Sequence, residues 1–243
     1  MIKKAVILAA GRGKRMKELT KFLPKSLVAV NNRPFLFYKL KILKELGFNR
    51  IGIIVHYKKD RIKEFLKKNK FKAFLIEQKR LLGTGDALKV AKDFVGNDNF
   101  IVLMGDDYYS QENIELISKK DDGHCYVLGY RHEQPEKFGV LIEKNGFLKK
   151  IIEKPKKSIS NLVNIGLYKF TPEIFEALEK IKISERGEYE LPSAISFLAA
   201  YSEVKVIKTN KGWLCMNIPD DLEAMELFLQ KTWLKNFKNI SPS

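Results

Sequence analysis

Ala5-Val6-Ile7-Leu8-Ala9-Ala10-Gly11-Arg12-Gly13-Lys14-Arg15-Met16, AVILAAGRGKRM, runs without a break from apolar residues into two glycines and three cations. A short apolar run with no polar alternation predicts a strand buried on both faces over Ala5–Ala10, as in the middle of a parallel sheet. The turn after it offers backbone N–H groups and basic side chains to an anion. Three nucleotide-binding designs begin this way. The dinucleotide fingerprint needs a third glycine three residues after the second and an acidic residue about 20 residues on. Met16 stands where that glycine belongs, and the second strand ends only at Val55-His56. A P-loop needs G-x-x-x-x-G-K-[ST]; Leu8 is five residues before Gly13, and Arg15 replaces the hydroxyl. The remaining design is a loop that holds the triphosphate of a free nucleotide. There Arg15 supplies a planar fork, and a second cation follows in Phe22-Leu23-Pro24-Lys25-Ser26-Leu27.

The pattern outward from this stretch predicts alternating strands and helices. Helices are expected over Pro34–Leu46, Asp60–Lys68 and Thr84–Phe94, and strands over Arg50–Val55, Phe71–Ile76 and Phe100–Met104. The second half predicts strands at Cys125–Tyr130, Gly139–Glu143, Leu148–Glu153 and Val163–Phe170, with a turn at Lys144-Asn145-Gly146. Helices at Pro172–Ile181 and Glu190–Ala200, a strand at Val204–Lys208 and a helix from Pro219 to about Phe237 close the chain. Asn217 or a neighbour is expected to cap that helix, with Pro219 in its first turn. The fold class is therefore α/β: a Rossmann-like mixed, mostly parallel sheet flanked by helices, with an antiparallel elaboration in the second half.

Composition narrows the function classes. The chain has 243 residues, 45 of them Lys or Arg against 29 Asp or Glu, for a net charge of +16. The lysines are spread in pairs over polar helix faces, and no nucleic-acid-binding signature accompanies them, so nucleic acid is not an expected partner. Cys125 and Cys215 are far apart, and His56, His124 and His132 do not cluster, which argues against a disulfide framework or a zinc site. No signal-peptide pattern opens the chain and no apolar run reaches a membrane span, so a cytoplasmic protein is expected.

Leu8-Ala9-Ala10-Gly11-Arg12-Gly13-Lys14-Arg15-Met16 followed by Pro24-Lys25-Ser26-Leu27 closely resembles the sugar-1-phosphate nucleotidylyltransferases, or nucleotide-sugar pyrophosphorylases. The resemblance continues, in order, through Gln78 with Gly83-Thr84-Gly85, Gly105-Asp106, Phe138-Gly139-Val140, and Glu153-Lys154-Pro155. It extends to Asn164-Ile165-Gly166-Leu167-Tyr168, Gly187-Glu188-Tyr189-Glu190-Leu191, and Trp213 ahead of Pro219-Asp220-Asp221-Leu222. It implies one nucleotidyltransferase domain over 1–243, with a nucleotide-binding half, 1–120, and a sugar-phosphate half, 121–240. The chain ends soon after its last helix, so the left-handed β-helix of bifunctional relatives, and its acetyltransferase activity, are not expected.

The implied reaction joins a sugar-1-phosphate to a nucleoside triphosphate with release of pyrophosphate, by in-line attack on the α-phosphorus. By resemblance Arg15 and Lys25 are the catalytic cations. Ala10, Gly11, Gly13, Lys14, Gln78, Gly83 and Thr84 would bind the nucleotide, Lys14 standing where relatives carry a small hydroxyl residue. Gln78, five residues before Gly83, favours UTP or dTTP, because a carboxamide can accept from N3–H of the base and donate to a carbonyl. Gly139, Glu153, Lys154 and Asn164 would hold the sugar phosphate, and Asp106 would bind Mg²⁺. A homo-oligomer is left open.

One departure stands out. The family usually carries W-x-D before its last helix, and that aspartate is the second Mg²⁺ ligand; here the third residue is Cys215, a soft thiol poorly matched to a hard cation. Three readings stay open: Asn217 replaces it, substrate phosphates and water complete the shell, or metal-dependent activity is lost. Other readings on the same fold are a cytidylyltransferase for phosphocholine or inositol-1-phosphate, a heptose-phosphate guanylyltransferase, and a non-catalytic regulatory or assembly subunit.

Overall fold

The computed structural model describes residues 1–157 and 159–236. Its core is a nine-stranded sheet with strand order β5-β4-β1-β6-β11-β8-β12-β10-β9. These strands are β1 (Lys4–Leu8), β4 (Arg50–Val55), β5 (Phe74–Glu77), β6 (Phe100–Met104), β8 (Cys125–Arg131), β9 (Gly139–Lys144), β10 (Phe147–Glu153), β11 (Leu162–Phe170) and β12 (Val204–Thr209). Two short ribbons lie outside it: β2 (Ala29–Val30) with β3 (Arg33–Pro34), and β7 (Asp107–Tyr109) with β13 (Trp213–Cys215). The helices are α1 (Phe35–Glu45), α2 (Lys59–Lys68), α3 (Thr84–Lys89), α4 (Lys92–Val95), α5 (Gln111–Ser118), α6 (Ile174–Lys180), α7 (Leu191–Leu198) and α8 (Asp221–Asn236).

The opening strand sits where its apolar run demands. β1 is buried throughout and pairs in parallel with β4 on one side and β6 on the other. Ala5 and Ile7 pack into one apolar core, and Val6 and Leu8 into a second on the opposite face. β6 repeats the division, with Ile101 and Leu103 on the first side and Phe100 and Val102 on the second. A strand sealed on both faces has no use for polar alternation, which is why both read as continuous apolar runs. β11 then pairs antiparallel with β6, and β8 antiparallel with β11, which makes the sheet mixed. β10 and β11 run against the other seven strands.

Several predicted boundaries shift. The helix expected over 84–94 divides into α3 and α4, and the strand expected over 71–76 is displaced to Phe74–Glu77. α8 begins at Asp221, two residues after Pro219, and the expected end at Phe237 lies outside the described residues. Its start is closed by the Asp221 carboxylate, which accepts the N–H groups of Asn217 and Ile218; Asn217 is thus the donor and not the cap. α5 has no counterpart among the expected helices, although Ser110 ahead of it is a good N-cap, with its Oγ accepting from the Asn113 N–H.

The topology fixes the site. β5, β4, β1 and β6 lie side by side and parallel, so the segments leaving their C-terminal ends emerge along one edge. Those segments carry Ala10–Arg15, His56, Gln78–Thr84 and Gly105-Asp106, at the edge where open α/β sheets take ligands.

Candidate active site

A cavity of about 870 Å³ opens at that edge. Ala10, Gly11, Gly13, Lys14, Arg15, Lys25, Gln78, Gly83, Thr84, Asp106 and Asn217, eleven of the residues expected from the sequence, line it. Gly139, Glu153, Lys154 and Asn164 are not part of that lining.

The glycine loop turns over Lys25. Gly13 has φ +64°, and a Cβ on it would meet Lys25 Cβ at 2.9 Å, so both the backbone hand and the close approach call for glycine. The Gly13 carbonyl accepts from Met16 N (2.8 Å) and Thr20 Oγ1 (2.9 Å), and the fully buried Met16 anchors the far side of the turn. Pro24 keeps the incoming chain extended, and the Lys25 side chain passes beneath the loop, only 8% exposed. Its Nζ lies 2.7 Å from Asp106 Oδ2. Burial acts to raise the Asp106 carboxyl, but Lys25, aided by Lys39, holds it below the ordinary carboxylate range.

The Trp213 segment closes the other wall. Met216 N donates to Asp106 O (3.0 Å), which brings Asn217 alongside, and Asn217 Oδ1 accepts from Arg15 Nη2 at 3.2 Å. Cys215 lies opposite Asp107 in the β7–β13 ribbon. Burial pushes its thiol up to about 12, and Asp107, Asp221 and Asp106 act in the same direction. It is a neutral thiol at ordinary pH. Asp107 Oδ2 accepts from Trp213 Nε1 and Tyr109 Oη, each at 3.3 Å, and burial followed by Asp106 pushes its carboxyl up to about 7.

Gln78 departs from its expected role in one respect. It is 2% exposed, and its Nε2 donates to Asp86 Oδ2 (2.7 Å) and to the Gly83 carbonyl (3.2 Å). A flipped amide would set oxygen against the Asp86 carboxylate, so this orientation is the favourable one. Both amide hydrogens are therefore committed within the protein, and the side chain keeps only an acceptor for a ligand. The Gln78 carbonyl is met by His56 Nδ1 at 2.7 Å. Because a carbonyl only accepts, Nδ1 carries the proton. Thr84 Oγ1 accepts from Leu191 N at 3.0 Å, and Gly85 N donates to Tyr189 O at 2.7 Å, which tie this loop to the start of α7.

The sugar-phosphate candidates gather on β9, β10 and β11. Gly139 pairs with Glu153, and a Cβ on Gly139 would lie 2.9 Å from Glu153 Oε2 and 3.7 Å from Asn164 Cβ. Asn164 is largely engaged already: Nδ2 donates to Tyr168 Oη (2.7 Å) and Oδ1 accepts from Gly166 N (3.2 Å). Lys154 has φ +44°, a left-handed conformation that a non-glycine residue adopts at some cost. Tyr109 Oη joins the two groups: its one hydrogen is shared among the carbonyls of Ile165 and Gly166, each 2.9 Å away, and the more distant Asp107 Oδ2.

Lys39 was missed in the sequence. It is 1% exposed within α1, with Nζ 3.0 Å from Gly105 O and 3.8 Å from the Phe35 ring centroid. Its place on the apolar face, four residues after Phe35 and three before Ile42, is the signal that marks it. It clamps the turn that presents Asp106. Burial pushes its ammonium down to about 7, against Asp107 and Asp106. An unfolded lysine titrates near 10.4. Between those values the unfolded chain binds more protons, so this contribution to stability is full above the unfolded value and is lost as pH falls toward 7. Urea unfolding from pH 7 to 10 should show Lys39→Met flattening the rise of stability with pH; a parent-like slope would contradict the assignment.

The described residues contain no helix long and apolar enough to cross a membrane. Residues 4–232 match the family model described as nucleotidyl transferase. The chain belongs to the nucleotidyl transferase family. Within that family it is 39% identical, over 231 residues, to the bifunctional protein GlmU of Methanocaldococcus jannaschii, covering 93% of this chain and 54% of the relative. It is 30% identical to the UTP–glucose-1-phosphate uridylyltransferase AglF of Haloferax volcanii, covering 93% of this chain and 96% of the relative. A UDP-glucose pyrophosphorylase solved with UDP-glucose superposes with a TM-score of 0.82 at 25% identity, covering 95% of this chain and all of that one. The chain spans about half the length of several of its curated relatives, the GlmU proteins among them.

Proposed function

We propose that this nucleotidyl transferase joins a sugar-1-phosphate to UTP or dTTP and releases pyrophosphate. The observation that carries the reading is the pair of the buried Lys25 with the half-buried Asp106 beneath the glycine loop, with Arg15 at the same cavity. An oxygen of the sugar phosphate attacks the α-phosphorus; the bond from that phosphorus to the bridging oxygen breaks, and the electron pair leaves with pyrophosphate. Such a transfer asks the protein for alignment and charge neutralisation more than for bond-making groups. The N–H groups and cations of the Gly11–Arg15 turn suit the β and γ phosphates. Lys25 suits the α-phosphate, where the two anions are brought together.

The donor set also fits Mg²⁺. Asp106 and Asn217 offer hard oxygens beside the phosphate-binding loop, and the neutral Cys215 thiol is no competitor for a hard cation. No cluster of three or more His, Cys, Asp or Glu suited to a metal occurs among the described residues. Substrate phosphates and water would complete the shell, the arrangement Mg²⁺ favours. When bound, the ion would offset charge on the phosphate oxygens.

A cytidylyltransferase is the second reading, because an acceptor-only Gln78 can also receive the amino group of cytosine. A pyrophosphate-release assay of UTP, dTTP, CTP, GTP and ATP against sugar-1-phosphates, phosphocholine and inositol phosphate, with and without Mg²⁺, separates the two. Release with UTP or dTTP plus a sugar-1-phosphate, dependent on Mg²⁺, is the expected result. A response to CTP alone would assign the second reading, and silence throughout would leave a binding or assembly role.

A further inference from the structure

Five strands of the second half pair in a closed ring: β11 with β8, β8 with β12, β12 with β10, β10 with β9, and β9 with β11. Where β8, β9 and β12 end and β11 begins lies a second cavity of about 250 Å³, and none of its lining residues lines the first. Its apolar floor is Leu141 and Leu162, 1% and 4% exposed. They close over Gly129, where a Cβ would meet Leu141 Cδ1 at 2.8 Å and Leu162 Cδ1 at 2.9 Å. The rim is polar. Arg131 stands opposite Leu162 in the β8–β11 ladder, and its Nη1 donates to Asn161 Oδ1 at 2.7 Å, which fixes both the guanidinium and the amide. Lys208 Nζ lies 2.7 Å from Glu143 Oε1, and the other Glu143 oxygen accepts from Gly146 N at 2.9 Å. Lys208 first, then the Gly146 N–H and more weakly Arg131, hold the Glu143 carboxyl below its ordinary range. Both oxygens of that carboxylate are spent, whereas Arg131, Lys208 and Asn161 still have N–H groups to give. Two cations against one carboxylate leave the rim with an excess of positive charge.

We propose that this cavity binds a small phosphate oxyanion, inorganic phosphate or a phosphate monoester, apart from the catalytic cavity. The Arg131 fork matches two phosphate oxygens, and Lys208 and the Asn161 amide offer further donors to the same group. The apolar floor takes the carbon skeleton of an ester. At about 250 Å³, against about 870 Å³ for the first cavity, the space suits a phosphorylated monosaccharide or something smaller, and not a nucleotide. The site stands on its own residues, whatever group the catalytic cavity transfers.

The test is a titration with inorganic phosphate and with glucose-6-phosphate, followed by proton–nitrogen-15 correlation NMR at constant ionic strength and without nucleotide. Saturable shifts are expected at the amides of Glu143, Asn161 and Leu162, separate from any at Gly11–Arg15. Arg131→Ala should raise the Kd read at those amides about tenfold or more, the scale of one charge-assisted bond. Lys149→Ala removes an exposed lysine of β10 that lies outside the cavity, and should leave that Kd within about twofold. Tighter binding of the ester than of the ion would support the proposal with a monoester as the ligand, and equal affinity would support it with the free ion. Shifts confined to the glycine loop, or shifts that rise without saturation, would overturn it. So would a Kd unchanged in Arg131→Ala, or weakened as much by Lys149→Ala. Because no turnover is measured, failure here is distinct from failure of the transferase reading.

Discussion

Lys25→Ala is expected to lower kcat/KM for pyrophosphate release by about 10²-fold or more, while the circular dichroism spectrum stays that of the parent. Lys25 is 8% exposed, with its ammonium 2.7 Å from Asp106, under the glycine loop that lines the cavity. Removing one preorganised charge from such a site typically costs about 3–4 kcal/mol of transition-state stabilisation. Truncation also leaves Asp106 without its partner, which adds negative potential where phosphates must enter. The loss should therefore fall on kcat and on KM for the nucleotide together. Lys25→Arg tests position separately from charge. A longer fork beneath Gly13 displaces a loop whose nearest approach to Lys25 is already tight, so activity should remain well below the parent's. Parent-like turnover in Lys25→Ala would remove this residue from the catalytic set.

The second large effect concerns the scaffold. Phe100 is fully buried at the start of β6, with ring centroids 6.0 Å from Phe170 and 5.8 Å from Phe175. Phe100→Ala is expected to cost about 3–5 kcal/mol, a large share of the roughly 5–15 kcal/mol that holds a typical domain together. β6 carries Gly105 and Asp106 at its other end, so the same core that stabilises the sheet fixes the floor of the site. Urea denaturation should show a much lower midpoint with little change in slope. A shift equivalent to less than about 1 kcal/mol would mean that the aromatic cluster does not bear on stability as its burial implies.

Local chemistry made the residues that line the cavity at the β1 edge legible. Residues 5–16 announce a doubly buried strand followed by a turn suited to an anion; Gln78 and Asp106 fall where strands of a parallel sheet end, and Lys25 lies beneath the turn that follows β1. The β7–β13 ribbon was not legible, because Asp107–Tyr109 and Trp213–Cys215 are too short for any periodicity and lie about a hundred residues apart. That ribbon decides the surroundings of Asp107, Cys215 and Asn217, so the sequence left three outcomes open for the Cys215 substitution. The role of Gln78 was visible only in part. Its spacing to Gly83 suggests the base, whereas the diversion of its amide hydrogens depends on Asp86, in the first turn of α3. Lys39 was hidden by its chemistry: a lysine in a helix is ordinarily a solvated one, and only its position on the apolar face gives it away.

The most direct test of the account follows both phosphorus products in one sample. Phosphorus-31 NMR of the chain with UTP, an accepted sugar-1-phosphate and Mg²⁺ should show pyrophosphate and a nucleoside diphosphate-sugar rising together in equal amounts. Pyrophosphate without the sugar product, or orthophosphate in its place, would contradict attack by the sugar phosphate on the α-phosphorus.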